Sequence, residues 1–261
     1  MPFIQVLDQS AFYVHHAAVP KEGPPVVFIH GAGGGHQHWL YQVRGLPQTE
    51  TYALDLPGHG RSAGPGRDRI ADYGDWVIAF LDALGLEQAV LVGHSMGGAI
   101  SQDVALRYPQ RVAGLGLVGT GARLRVLPAI LEGIHRDFEA TVRLIVQYAF
   151  GPEAPPEMTR LGRRQMAQTP PDVLYGDFVA CDRFDVVGRL GEIAAPAAVV
   201  CGTQDRLTPV KYAAYLRDHL RDARLHLVEG AGHMVMVERP QAVAQALGDL
   251  LARMGPRRAN L

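Results

Sequence analysis

The segment Ala89-Val90-Leu91-Val92-Gly93-His94-Ser95-Met96-Gly97-Gly98-Ala99 constrains this chain more than any other. An apolar run ends in Gly-x-Ser-x-Gly, and a helical pattern begins at once. Read physically, a buried strand turns sharply into a helix with a serine at the apex. Glycines at 93 and 97 remove side chains that would collide across so tight a turn, leaving Ser95 strained and exposed. Its hydroxyl then lies near a helix N-terminus, where unpaired backbone N–H groups favour negative charge. The chain has 30 glycines, so the motif alone competes with a plain serine N-cap on a glycine-rich turn. Its partners must decide.

The 261 residues suit one large α/β domain or a core with an insertion, and a hydrophobic fraction of 48% supplies the core. A net charge of −1 argues against nucleic acid or a membrane surface as partner. No apolar run reaches the length of a membrane span, and the N-terminus lacks a basic stretch followed by an apolar one. Only Cys181 and Cys201 are present. They are expected as small buried hydrophobes in a reducing, cytoplasmic compartment.

In chain order, residues 1–20 read as one or two short strands, Phe12–His15 being the stronger, and Val26–His30 as a buried parallel strand. Gly31-Ala32-Gly33-Gly34-Gly35 follows. It is no P-loop, since His36-Gln37 stands where Lys-Ser/Thr is needed, and it is too compressed for a dinucleotide fingerprint. Backbone N–H groups aimed at an oxyanion remain. His36-x-His38 lacks a third ligand at metal spacing, so a solvated loop is expected there. Trp39 is a candidate pocket residue that core packing would explain equally well. After a strand at Tyr52–Leu56, the polar residues Asp55 and His59 are expected to hold the Pro57–Ser62 turn. A helix over 69–84, the Ser95 unit with a helix to Arg107, and a strand at Val112–Val118 come next.

From 122 to 190 the alternation stops. Amphipathic helical patterns, broken at Gly151-Pro152, Pro155-Pro156 and Pro170-Pro171, predict an all-helical lid over the active edge of a sheet. The βα rhythm returns with a strand at Ala197–Gly202 and the loop Thr203-Gln204-Asp205. A helix over Pro209–Leu220, a strand at Leu225–Val228, the loop to His233 and a last helix from Pro240 complete it. Pro256–Leu261 is expected to fray.

Ligands of an open parallel sheet gather at the carboxyl ends of its strands. Ser95, Asp205 and His233 each follow a strand, so all three can converge there. The types fit one chemistry: a serine nucleophile, an imidazole to take its proton, and a carboxylate to orient the imidazole and stabilise its cation. The resulting oxyanion needs two N–H donors, which Met96 at the helix start and the 31–33 loop can supply.

These landmarks make the chain resemble the α/β-hydrolase superfamily. The resemblance rests on His30-Gly31-Ala32-Gly33, Asp55-Leu56-Pro57-Gly58-His59-Gly60-Arg61-Ser62, Gly93-His94-Ser95-Met96-Gly97-Gly98, Gly202-Thr203-Gln204-Asp205 with Pro209, and Gly230-Ala231-Gly232-His233. It implies a mostly parallel eight-stranded sheet flanked by helices, with a helical cap inserted after the sixth strand. The core would comprise 1–121 and 191–261, and the cap 122–190. It further implies Ser95 as nucleophile, Asp205 as acid, His233 as base, and Ala32 and Met96 as oxyanion donors, with adjacent Gly33 as the alternative to Ala32. Gly33 and Trp39 are the candidate substrate contacts.

Serine at 95 argues against the dehalogenase- and epoxide-hydrolase-like members, which carry Asp there. Thr120-Gly121-Ala122-Arg123 offers no carboxylate for relatives whose acid follows the sixth strand. Asp103 and Asp182 stand as outside candidates for the acid. His94 before the serine is shared with many esterases and is expected to point away from it. The expected activity is a serine carboxylesterase acting on small to medium acyl esters without cofactor or metal. Lactone, enol-lactone or carbon–carbon hydrolysis, acyl transfer, and a non-catalytic receptor are the alternatives. Arg123, Arg125 and Arg136 are candidates to greet an acidic group on the substrate.

Overall fold

A computed structural model describes residues 2–18, 23–46 and 48–255; the tail 256–261 lies outside the described residues. Eight strands form one sheet: β1 (Phe3–Val6), β2 (Gln9–His16), β3 (Val26–Ile29), β4 (Thr51–Leu54), β5 (Ala89–His94), β6 (Val112–Val118), β7 (Ala197–Gly202) and β8 (Ala223–Val228). Their spatial order is β1-β2-β4-β3-β5-β6-β7-β8. β2 runs antiparallel to β1 and β4, and every pair from β4 to β8 is parallel.

The central strands are apolar throughout because helices cover both their faces. Successive side chains point to opposite sides. Val27 and Ile29 therefore join Tyr73, Trp76 and Phe80 of α2 (Ile70–Ala83) and Ile100 of α3 (Met96–Arg107) on one face. On the other face Val26 and Phe28 join Val43 of α1 (Leu40–Gly45) and residues of the C-terminal helix. Helices thus alternate with strands as the hydrophobic periods indicate, with boundaries within a few residues of those expected.

Between β6 and β7 the chain forms α4 (Pro128–Arg136), α5 (Phe138–Ala149), α6 (Pro156–Met166) and α7 (Pro171–Arg183). The proline pairs explain the breaks. Pro156 and Pro171 occupy the first helical turn, where a missing N–H leaves nothing unsatisfied, and extended Pro155 and Pro170 precede them. The two ends of this insertion are pinned together. Val186 N–H donates to the Ala122 carbonyl at 2.8 Å, and the Arg123 guanidinium lies 2.6 Å from the Asp185 carboxylate. Arg125 leans on the same carboxylate at 3.8 Å, so neither arginine is a free substrate contact. After β7 come α8 (Val210–His219), α9 (Val235–Glu238) and α10 (Pro240–Met254). Among the described residues no helix is long and apolar enough to cross a membrane.

Asp55 shapes the turn after β4. Its fully buried carboxylate accepts the His36 N–H at 2.7 Å, the His36 ring at 2.9 Å and the Arg61 N–H at 2.9 Å. His36 is thus tied to the turn, not left to solvent. Burial favours the neutral acid, but the His36 ring and these N–H donors outweigh it and hold the Asp55 pKa below the ordinary carboxylate value. A carboxyl with a lowered folded-state pKa stabilises the fold above its unfolded value of about 4, and that contribution vanishes as pH falls through the folded value. Asp55→Asn should therefore unfold at lower urea than wild type at about pH 7, with the gap narrowing towards about pH 3. A gap that stays constant with pH would show that the charge of Asp55 contributes nothing.

Candidate active site

Ser95 sits where β5 turns into α3, with φ 53° and ψ −115°. Among the described residues only Leu7 and Asp8 share a positive φ without being glycine. Such a backbone is strained and persists only where its surroundings over-determine it. Here they do. Ser95 N–H donates to the Val118 carbonyl at 2.9 Å, while its own carbonyl accepts from Gly98 N–H, Ala99 N–H and the Thr120 hydroxyl. A Cβ on Gly93 would collide with the Gly97 carbonyl, and one on Gly97 with the Ile29 carbonyl. The two glycines are thus required by backbone meeting backbone.

His233, in the loop after β8, places Nδ1 2.9 Å from Asp205 Oδ2. Asp205 is itself fixed: Oδ1 accepts the N–H groups of Leu207 at 2.9 Å and Thr208 at 2.8 Å, and Oδ2 accepts the Thr208 hydroxyl at 2.8 Å. That hydroxyl lies 3.2 Å from His233 Nδ1 as well. Burial pushes the Asp205 pKa up, but the His233 ring and the Thr208 donors prevail, so the group is held below its ordinary value and stays ionised. An ionised acceptor at Nδ1 assigns the proton to that nitrogen and leaves Nε2 as the basic one. Thr208 was not singled out from the sequence, although Asp-x-x-Thr before Pro209 is a recognisable local capping pattern. The buried Glu238 secures the same loop by accepting N–H groups from Gly232 and, across from the insertion, Gly151.

The glycine-rich loop after β3 is gripped from the insertion. Gly33 N–H donates to Asp177 Oδ2 at 2.8 Å, and the Gly33 carbonyl lies 3.3 Å from the Thr169 hydroxyl. The Gly33 N–H is therefore occupied, whereas among the described residues nothing accepts from the Ala32 N–H. Met96 is the first helical residue, and its N–H has no acceptor within the helix. Asp177, fully buried on α7, also accepts from Tyr73 Oη at 2.6 Å and His59 Nε2 at 2.8 Å. His59 Nδ1 faces the Pro57 carbonyl at 3.1 Å, so both ring nitrogens meet acceptors. Burial opposes a charge on His59, yet the Asp177 carboxylate overcomes it and raises the pKa. His59 thus reaches across to the insertion as well as bracing its own turn.

Ser95, His233 and Ala32 line one small cavity of about 60 Å³, walled opposite by Ile145, Val146, Phe150, Met166 and Phe178. Trp39 is absent from that wall. It is fully buried against Phe28 at a ring distance of 5.0 Å, in the core and not at the pocket as the sequence allowed. His94 is a structural neighbour of His233. It lines the cavity, with its ring 4.6 Å from that of His233 and its Nε2 3.1 Å from the His233 carbonyl. Burial lowers the pKa of His94 well below the ordinary value and that of His38, on the same wall, to about 4, so both are neutral. Asp103 is held by Arg107 and Asp182 by the Val126 N–H, both apart from His233.

A sequence model described as alpha/beta hydrolase fold matches residues 24–240. A 2-hydroxy-6-oxo-6-phenylhexa-2,4-dienoate hydrolase of Comamonas testosteroni is 32% identical over 254 residues, covering 89% of this chain and 88% of that protein. A solved thermophilic esterase is 34% identical with a TM-score of 0.85, covering 97% of this chain and 98% of its own. The enol-lactonase of Burkholderia xenovorans LB400 superposes with a TM-score of 0.89 at 23% identity, over 96% of this chain and 100% of its own, a likeness of fold.

Removing a partner from a buried charge network costs about 3–5 kcal/mol. Asp177→Ala strands the Gly33 N–H, Tyr73 and His59 together, so thermal unfolding should begin roughly 10 °C lower. A Tm within 2 °C of wild type would show that the network carries no such weight.

Proposed function

Because the chain belongs to the alpha/beta hydrolase fold family, and with the site geometry above as support, we propose that it is a serine hydrolase cleaving carboxylic esters through an acyl-enzyme. The observation that carries this reading is the buried His233–Asp205 pair at 2.9 Å, facing the same cavity as a serine held at positive φ.

Ser95 Oγ attacks the ester carbonyl carbon as its proton passes to His233 Nε2, and ionised Asp205 stabilises the imidazolium. The carbonyl oxygen becomes an oxyanion that accepts the N–H groups of Ala32 and Met96. Of the two candidates in the loop, Ala32 is favoured because the Gly33 N–H is spent on Asp177. Collapse of the intermediate expels the alcohol, which takes the proton from His233. Water then repeats the sequence on the acyl-enzyme and frees the acid. Neutral His94 and His38 beside the site add no positive charge to oppose the imidazolium. No step calls for a cofactor. The domain division, with 122–190 as a cap over a core of 1–121 and 191–261, is part of the same proposal. A second reading by the same residues, carbon–carbon bond hydrolysis or lactone hydrolysis, is favoured by the dienoate hydrolase relative for the first and by an enol-lactonase relative for the second.

A cavity of about 60 Å³ is room for about two waters, each with a liquid share near 30 Å³. Short acyl groups are therefore expected to turn over best. Hydrolysis of p-nitrophenyl esters from acetate to decanoate should peak at acetate to butyrate and disappear in Ser95→Ala. Asp205→Asn should lose about 10⁴-fold in kcat, the size of the effect where an orienting aspartate is lost elsewhere. Folded wild type that hydrolyses none of these esters, or Ser95→Ala that retains activity, would sink the esterase reading. In the first case the carbon–carbon reading is next.

A further inference from the structure

Outside the catalytic cavity, across the side chains of Val146 and Phe150, lies a larger open cleft of about 720 Å³. Val146 and Phe150 line both spaces, so the cleft and the cavity are one side chain apart. The cleft is formed between α5, α6 and the loop after β7. Arg143, Arg160, Arg163 and Arg206 line it, and none of its lining residues is acidic.

This concentration does not reflect the chain as a whole, which carries 25 basic against 26 acidic residues. Nor is it neutralised by neighbours. Among the described residues Arg160 pairs with the exposed Glu157 on its own helix at 3.2 Å and Arg143 with the exposed Glu139 at 3.9 Å, and Glu139 also lines the adjoining hollow that Arg160 and Arg163 share. Such intrahelical pairs are weak. Arg163 and Arg206 have no carboxylate partner among the described residues. Arg206 is preorganised: its guanidinium lies 5.0 Å from the centre of the Tyr148 ring and donates to the Gln147 carbonyl. Planar guanidinium groups around a cleft suit a carboxylate or phosphate, which accepts two N–H donors side by side.

We propose that this cleft is a subsite for a negatively charged group, carboxylate or phosphate, at the far end of the substrate's acyl chain, and that Val146 and Phe150 are the gate between it and Ser95. The inference rests on the hydrolase reading above and extends it. The cavity of about 60 Å³ holds only a short acyl group, so a longer chain reaches past one of its walls. Displacing Val146 and Phe150 opens directly onto the arginines. A substrate with an apolar middle and an anionic end would then span both spaces, its carbonyl at Ser95 and its charge in the cleft. The arginines singled out by sequence at the insertion's neck, Arg123 and Arg125, are paired to Asp185 and play no part.

The test compares monomethyl adipate with methyl hexanoate, which share a six-carbon acyl chain and differ by the terminal carboxylate. Wild type should prefer the adipate ester at least tenfold in kcat/KM, and the preference should shrink as salt rises. In the exposed double variant Arg160→Gln/Arg163→Gln the ratio should fall towards one. Equal rates on the two esters, or a preference that survives the double variant, would overturn the subsite. Calorimetric titration of Ser95→Ala with adipate and with hexyl phosphate makes the result independent of turnover. Binding of either that is lost in Ser95→Ala/Arg160→Gln/Arg163→Gln supports the cleft and tells carboxylate from phosphate, even if no ester is hydrolysed and the esterase reading fails. Binding of neither anion overturns the cleft, whatever p-nitrophenyl acetate shows.

Discussion

The Asp177 carboxylate is the interaction on which the arrangement at the sheet edge depends. It belongs to α7 of the insertion, yet its donors come from three parts of the core: Gly33 after β3, His59 after β4 and Tyr73 on α2. A carboxylate fully removed from water is tolerable only with such partners. Each hydrogen bond is charge-assisted and therefore worth more than a neutral one. The bond to Gly33 consumes that N–H, so the same carboxylate takes one backbone donor of the glycine loop out of use. Insertion packing and loop conformation are consequently one constraint.

Histidines crowd this edge, and their surroundings divide them sharply. His30 donates from Nδ1 to the Gly31 carbonyl and accepts the Leu56 N–H at Nε2, which fixes it as neutral; burial lowers its pKa to about 3. His38 and His94 are kept neutral by the same desolvation. His59 goes the other way because it alone of these faces Asp177. Identical side chains thus have their pKa lowered or raised according to whether a directly bonded carboxylate outweighs the burial. Around His233 the neutral outcome matters most, since a charged His94 ring 4.6 Å away would disfavour protonation of its neighbour.

What the sequence makes legible follows from how local each cause is. The Ser95 turn is written in adjacent residues, because the glycines at 93 and 97 answer to backbone within a few residues and on the next strand. The strand before Asp205 announces itself as a continuous apolar run and the one before His233 as apolar residues alternating with Arg224 and His226, so the loops after them can be paired on topology alone. That the Gly33 N–H is already taken is not legible in the sequence, since its acceptor is a carboxylate 144 residues away. Trp39 was ambiguous for a related reason. A large apolar ring at a helix start suits a pocket or a core, and only the position of Phe28 beneath it decides. The neighbour of His94 is not legible because strand alternation gives the direction of a side chain but not what folds over it. The His233 loop does so from the far end of the chain.

The same bonds limit how the edge can open. Swinging the whole insertion away as a rigid lid would strip Asp177 and Thr169 from Gly33 and Glu238 from Gly151, disturbing the glycine loop and the tether to the His233 loop in the motion that admits a substrate. The α6 side is anchored differently. No residue of α6 is fully buried; its side-chain bonds from Thr159 and Arg160 stay within the helix, and Gln165, bonded to the neutral His38 ring, ties it to the site without a buried charge. Segments with few buried contacts open at lower free energy than the core around them. Displacement of α6 and the Phe150 side chain would therefore leave Asp177, Gly33 and the His233–Asp205 pair in place, whereas hinging at the neck would not. Rigidity where the proposed donors are held and weakness where the wall is thin arise from one insertion, because α7 is bound by a buried charge and α6 is not.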